Sequence, residues 1–343
     1  MQLGIIGLAQ SGKTTLFEAL TGATLDPARR GETQVGTIDM PDRRVNLLSD
    51  MYRPKKTIFA KIQYILPARG HADREKDAAA LVGAVRSCDA LIHVVRNFSP
   101  PGGEPPRPLA DFRDLDSELV FADLVAVEKR LERLEADAKR GKKADPEELA
   151  LLGRCSEILN ADRPLRRDPA LAADPKLRGF AFASAKPCLV VANNDEADPD
   201  FPNIPELSEQ ESVLAVRCRL EQELSQMAPE DAQAFLAEYG LTETARDRMI
   251  RRSYELLGRI SFFTVGEDEV RAWTVARGAS ALESAGAVHS DIQRGFIRAE
   301  VLAYDDLMAA GSYAEAKKRA AVRLEGKTYE VKDGDIAHFR FNV

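Results

Sequence analysis

The stretch Gly7-Leu8-Ala9-Gln10-Ser11-Gly12-Lys13-Thr14-Thr15 fits the pattern GxxxxGK[ST]. It begins at the end of the apolar run Leu3–Leu8 and opens into Thr14–Leu20, whose apolar residues have helical spacing. The order is strand, tight turn, helix. Such a turn gathers backbone N–H groups around an anion, and the following helix adds its positive end. In this pattern Gly7, Ala9, Gln10, Ser11 and Gly12 shape the turn, and Thr15 continues it into the helix. Lys13 reaches the terminal phosphates and the Thr14 hydroxyl ligates Mg²⁺. The stretch predicts a nucleotide-binding α/β domain.

Further apolar runs of strand length follow at Ile58–Leu66, Ala90–Val95 and Cys188–Ala192. The last two are almost continuous Val, Ile, Leu and Ala, which suits strands of a parallel sheet buried on both faces. Asp77–Cys88 reads as an amphipathic crossover helix. Pro100–Pro108 is a Pro/Gly-rich linker. Beyond it, Leu115, Leu119, Leu124, Val127, Leu131 and Leu134 recur at helical spacing. After a polar break at Ala138–Pro146, the period resumes at Leu149, Leu152, Cys155, Ile158 and Leu159. Two helices around a polar turn form a hairpin, and it interrupts the α/β pattern, because strand texture returns at Phe180–Ala192. From Leu257 the runs ISFFTV, EVRAWTV and FIRAEVLAY mark a small β-rich domain. Its last segments, TYEV and IAHFRFNV, flank Asp333-Gly334 and predict a β-hairpin. The expected division is 1–114 and 179–257 for a split nucleotide-binding domain, 115–178 for the helical insertion, and 258–343 for the C-terminal domain.

Length and composition agree with this division. The chain has 343 residues, 44% hydrophobic and 30% charged, and a formal net charge of −7. At about 150 residues per domain that is two or three globular domains. The acidic balance excludes a global basic field for nucleic acid, so an RNA contact needs a local patch. No apolar run approaches the ~20 residues of a membrane span. The N-terminus lacks the basic region of a signal peptide, and a cytoplasmic protein without a membrane anchor is expected. Cys88, Cys155, Cys188 and Cys218 are scattered without a CxxC pair, so neither zinc nor a disulfide framework is expected.

The base-reading element is expected at the end of the Cys188–Ala192 strand, where doubly wound folds bind ligands. There the chain reads Asn193-Asn194-Asp195-Glu196. GTP-binding proteins place Asn-Lys-x-Asp at this point. Here Asn193-x-x-Glu196 stands instead, with Asn194 where a lysine would pack on the base. A longer carboxylate does not reproduce the paired geometry that the Asp makes with guanine, so ATP is preferred and GTP is admissible.

The P-loop, the Asn-x-x-Glu element and the helical insertion resemble the Obg-like ATPases, the YchF group of translation-factor-class (TRAFAC) P-loop NTPases. The C-terminal third carries the same resemblance in Glu269–Thr274 (EVRAWT), Gly295–Glu300 (GFIRAE), Ala303–Asp306 (AYDD) and EGKTYEVKDGDIAHFRFNV to the end. The resemblance covers nearly the whole chain. It implies a G domain split by a coiled-coil hairpin, a β-grasp TGS domain, ATP hydrolysis and ribosome binding in translation or stress regulation. It also implies that the backbone of Cys218–Glu221 backs the base. Departures are specific. The family's switch II has Asp-x-Ala-Gly after its third strand, whereas Gln63–His71 here reads QYILPARGH and puts Leu66 or Pro67 at the aspartate's place. Switch I is unrecognisable in Ala28–Gly36, with Thr33 and Thr37 as stand-ins, and Gln10 replaces the P-loop asparagine. These losses point to slow hydrolysis, or to a module that binds nucleotide without turning it over. His71 follows Gly70, where elongation-factor-type GTPases keep a water-orienting histidine, and is the candidate catalytic residue.

Lys139, Arg140, Lys142 and Lys143 at the hairpin turn form the densest basic patch and the candidate contact to ribosomal RNA phosphates. Arg163, Arg166 and Arg167 form a looser second cluster. Phe296, Phe339, Phe341 and Trp273 read as packing, and His93 and His338 as buried strand histidines with satisfied nitrogens. His289 matches a family pattern without an evident purpose.

Overall fold

A computed structural model describes residues 1–29, 31–68, 74–100, 102–143, 145–238 and 243–342. The chain divides into two compact units, Met1–Thr37 with Gln63–Ser253, and Ile38–Ile62 with Tyr254–Val343. The first seven strands are β1 (Gln2–Ile6), β2 (Gln34–Asp39), β3 (Lys56–Ile58), β4 (Lys61–Leu66), β5 (Ala90–Asn97), β6 (Cys188–Asn194) and β7 (Ser212–Val216). The remainder are β8 (Arg259–Val265), β9 (Glu269–Ala276), β10 (Phe296–Ala303), β11 (Arg323–Glu325) and β12 (Asp335–Phe341).

The first sheet runs β2-β4-β1-β5-β6-β7. The pairs β1–β4, β1–β5, β5–β6 and β6–β7 are parallel. β1 lies at its centre, and all seven residues of β6 are buried, as the continuous apolar run predicts. The helix α1 (Lys13–Thr21) follows β1 and ends at Gly22, whose amide donates to the Glu18 carbonyl in a left-handed cap. After α2 (Arg43–Tyr52) and α3 (Arg74–Val85), the long helix α4 (Pro108–Lys139) begins on the proline that closes the linker. Its 32 residues make a rod of about 48 Å. Its partner α5 (Pro146–Asn160) starts on an Asp145 cap that accepts the Glu147 amide. Val127, Leu134, Leu152, Cys155 and Leu159 form the shared seam of this hairpin.

Two buried carboxylates root the hairpin. Asp123 of α4 accepts the amides of Ala183 (3.0 Å) and Ser184 (2.7 Å). Asp116 of α4 takes Arg166 at 2.8 Å, and the same guanidinium bonds Glu211 just before β7. Arg166 is therefore a buried ion-pair centre rather than part of a basic surface, and the second basic cluster dissolves.

The other unit carries the sheet β11-β10-β12-β8-β9-β3. β12 is parallel to β8 and antiparallel to β10, and the helix Ala281–Val288 packs on the apolar face through Ala281 and Ala285, the layout expected of a β-grasp. Two sequence expectations change here. The run Ile58–Leu66 is not one strand. β3 pairs with β9 in this sheet, whereas β4 pairs with β1 in the other. The expected terminal hairpin does not form either. Val331 donates to Ala279 and Ala281 donates to Tyr329, so the TYEV segment bonds the 279–281 stretch. Asp333 accepts the Ser261 amide and Arg44, and β12 is left to pair with β8 and β10. Phe296 and Phe339 are buried as expected, but Phe341 is 45% exposed and His338 faces solvent. Trp273 packs at the core edge and donates to Thr264 Oγ1. His289 acquires a purpose: its Nδ1 caps the short helix Ser290–Arg294 by accepting the Asp291 amide.

Candidate nucleotide site

At the carboxyl end of β1, Gly7–Gly12 form a loop whose shape depends on two glycines. Gly7 has φ +150°, and a side-chain carbon there would lie 2.4 Å from the Val94 carbonyl oxygen. Gly12 has φ +96°, and its side-chain carbon would lie 2.1 Å from Asn193 Nδ2. Close approach by β5 and by Asn193 is what requires glycine at both places. Gln10 is left-handed as well, at φ +62°, a strained position of about 1 kcal/mol for a residue with a side chain. α1 starts without a side-chain cap and without an acidic residue in its first turn. No acidic side chain of its own first turn competes for the leading amides, the arrangement that attracts an anion. Lys13 Nζ lies across the loop and donates to the carbonyls of Gly7 and Leu8, both at 2.6 Å. The Ser11 hydroxyl is buried.

Asn193 joins three separate segments. Its Nδ2 donates to the Ser11 carbonyl at 3.0 Å, and its Oδ1 accepts the Cys218 amide at 3.2 Å. One buried amide side chain therefore ties the phosphate loop, the end of β6 and the start of the helix Cys218–Ser225. Cys218 contributes through its backbone; burial pushes its thiol well above the usual range. Asn194 departs from expectation. It is buried, accepts from Asn97 Nδ2 at 2.9 Å and donates to the Asp198 carbonyl at 3.1 Å. Its amide is spent inside the fold and does not pack on a base as a lysine would. Glu196 stays half exposed at the cleft, with Arg219 Nε 3.8 Å from its carboxylate.

Gly7–Gln10, Gly12, Lys13, Asn193–Glu196 and Arg219 line one cleft of about 1500 Å³. Glu18, Gln222 and Arg219 are among the members that sequence reasoning missed. Glu18 of α1 accepts the Leu25 amide at 2.8 Å and Gln222 Nε2 at 2.5 Å. Glu18 and Gln222 are far apart in sequence, and no local pattern links them. Arg219 directly follows Cys218 and was readable from that spacing.

The switch side is different. β4 ends in the buried, aliphatic Leu66, and Pro67 and Ala68 line the cleft. Thr33 Oγ1 accepts the Ala68 amide at 3.4 Å, and Thr37 Oγ1 accepts Gln63 Nε2 at 3.4 Å from within β2. Both threonine stand-ins thus bond to the β4 segment. The Thr14 hydroxyl stands at the phosphate loop as a donor for a magnesium ion, and Leu66 and Pro67 at the end of β4 offer no side-chain donor. Mg²⁺ keeps several waters and binds chiefly through phosphates, so the Thr14 hydroxyl fits the ion, and the end of β4 adds no carboxylate to its water shell. His71 lies outside the described residues. At the hairpin turn Lys139, Arg140, Lys142 and Lys143 are all exposed, with Lys142 paired to Asp137 at 3.1 Å.

Behind the loop, His93 of β5 is fully buried and stacks near Phe112 at 4.9 Å between centroids. Neither ring nitrogen has a hydrogen-bond partner among the described residues, contrary to the satisfied histidine expected. Desolvation, with the nearby charges of Arg166 and Lys13, pushes its pKa down to about 3.

Comparison with known proteins fits this geometry. "Ribosome-binding ATPase YchF" of Bacillus subtilis (strain 168) is 38% identical over 361 residues, covering 99% of both chains. The chain belongs to the YchF family. The protein of the same name from Escherichia coli O157:H7 is 33% identical over 358 residues, again covering 99% of each. Residues 259–342 match the family model YchF-GTPase_C, described as a protein of unknown function (DUF933). The YchF GTPase structure from Schizosaccharomyces pombe superposes with a TM-score of 0.80 at 24% identity, over 99% of this chain and 97% of that one. The YchF-type P-loop NTPase fold is thus shared along the whole chain. Among the described residues no helix is long and apolar enough to cross a membrane.

Proposed function

We propose that this YchF-family chain binds ATP in preference to GTP, hydrolyses it slowly, and couples the bound state to docking on the ribosome. The observation that carries the reading is the Asn193 junction, which welds a phosphate loop to a base-side segment. The amides of Gly7–Thr15 and the Lys13 ammonium hold the triphosphate. Thr14 and the phosphates hold Mg²⁺, which supplies charge neutralisation. Asn193 and Glu196 face the base, and the Cys218 amide backs the junction.

Slow turnover follows from β4. With Leu66 and Pro67 at its end, β4 supplies no carboxylate to orient the water of the metal. The same observation supports a second reading, in which ATP is a ligand that is never turned over. His71 is the proposed water-orienting residue by its place in the chain. The exposed tip residues Lys139, Arg140, Lys142 and Lys143 would meet ribosomal RNA phosphates, as the names of the bacterial relatives invite. A ribosomal partner implies a cytoplasmic protein.

Calorimetry with ATP and GTP in magnesium buffer tests the binding. Turnover with and without ribosomes then separates the two readings. A rate above that of Lys13→Ala supports hydrolysis, and an equal rate supports the non-hydrolysing module. The His71→Ala variant should lose ribosome-stimulated turnover; unchanged turnover removes that residue from the scheme.

A further inference from the structure

The base end of the cleft holds a cation that the phosphate chemistry does not use. Arg219 stands on the first turn of the helix Cys218–Ser225, lines the cleft and has a side chain 79% exposed. Its Nε lies 3.8 Å from Glu196 and 3.6 Å from Glu223, so two carboxylates confine the guanidinium. Exposed pairs of this kind are weak; they restrict the side chain without locking it.

Two neighbouring facts give this arginine a task. Asn194, at the position where a long side chain would lie over the base, is buried and bonded to Asn97 and the Asp198 carbonyl. Asn194 lines the cleft, but its short amide is spent on these partners and leaves no long side chain to lie over a base. Leu25 also lines the cleft, and its amide is held by Glu18, whose second oxygen takes Gln222 from the helix that carries Arg219. Glu18 thus brings an apolar side chain and a guanidinium to the same end of the cleft.

We propose that Arg219 covers the purine base, its guanidinium plane stacked on the ring, with Leu25 as an apolar contact beside it. This rests on the reading that the cleft takes a nucleotide. A guanidinium is planar and weakly hydrated, and it stacks on aromatic faces as an ammonium does not. Stacking reads the π face, which every purine has. Arg219 therefore contributes affinity without selectivity, and discrimination between adenine and guanine is left to the Asn193–Glu196 segment.

The test compares ATP, GTP and inorganic tripolyphosphate binding, by calorimetry with magnesium, to the full chain and its Arg219→Ala and Arg219→Lys variants. Arg219→Ala should weaken ATP and GTP alike by about tenfold, the scale of one lost base stack, and leave tripolyphosphate within twofold. Arg219→Lys should restore less than half of that loss on a logarithmic scale, because it returns the charge without the plane. An unchanged ATP affinity in Arg219→Ala, an equal loss for tripolyphosphate, or full rescue by lysine would overturn the proposal. Binding of nucleotide by the parent chain in those cases keeps the nucleotide reading intact. A parent chain that binds none of the three ligands overturns both.

Discussion

Two stretches of the same cleft, Gly7–Lys13 and Leu66–Ala68, spend their polar groups differently. Along Gly7–Lys13 every feature serves an anion: two glycines with positive φ, a helix start without a cap, an ammonium, and a buried asparagine bracing the loop. At Leu66–Ala68 the strand delivers an aliphatic side chain and a proline, and the Ala68 amide is spent on Thr33. Holding a triphosphate and attacking it require different groups. The contrast teaches that the first capacity persists in a chain whose β4 ends on an aliphatic residue instead of a carboxylate.

The largest expected effect falls on the loop. Lys13→Ala should weaken ATP binding about 100-fold, because charge-assisted bonds to phosphate are among the strongest available. Titration calorimetry measures it, and a loss below tenfold would erase the contrast. Asn193→Ala comes next. It leaves the buried Cys218 amide unpaired, at about 1–3 kcal/mol. Thermal unfolding should fall by several degrees, and ATP affinity should drop together with it.

The core behind the loop offers a pH-dependent test. His93 is neutral in the fold, with a pKa near 3 against an ordinary 6.5. Below 6.5 the unfolded chain binds the extra proton, so stability is full above that value and falls as the pH drops toward 3. Each unit in that window costs about 1.4 kcal/mol. Urea unfolding at pH 7 and 5.5 should show the parent losing about 1 kcal/mol more than His93→Leu. Equal losses would mean that the imidazole is not held neutral.

At the hairpin turn, exchanging Lys139 or Lys143 for Glu should reduce the salt dependence of ribosome binding by about one unit of slope per phosphate contact removed. Pro67→Ala gives the smallest change: ATP affinity within twofold, since proline at that place offers the ligand no polar side-chain atom. A larger change would show that the switch side still takes part in holding nucleotide.

Much of this site is legible in the residues alone, since the GxxxxGK[ST] spacing, the buried β6 run and Asn193-x-x-Glu196 are local patterns. Glu18 and Asn194 are not legible in this way. Asn194 looks like an exposed loop residue after a strand, and it is buried because the Asn97 amide and the Asp198 carbonyl meet it from elsewhere in the sheet edge. Arg166 looks like part of a basic patch, and it is neutralised by Asp116 and Glu211, each more than forty residues away. The Asp333-Gly334 turn reads as a hairpin, but Ser261 and Arg44 claim the aspartate. No change of composition marks Ile38–Ile62 as part of the C-terminal unit.

The order of amino acids by itself determined the phosphate loop, the parallel strands, the helical hairpin and the β-rich end. These follow from periodicity, glycine spacing and continuous apolar runs, which act over a few residues. Tertiary structure alone decided which polar groups remain available to a ligand. A buried amide, carboxylate or guanidinium must find its partner wherever the fold brings one, and most of those partners come from tens to hundreds of residues away.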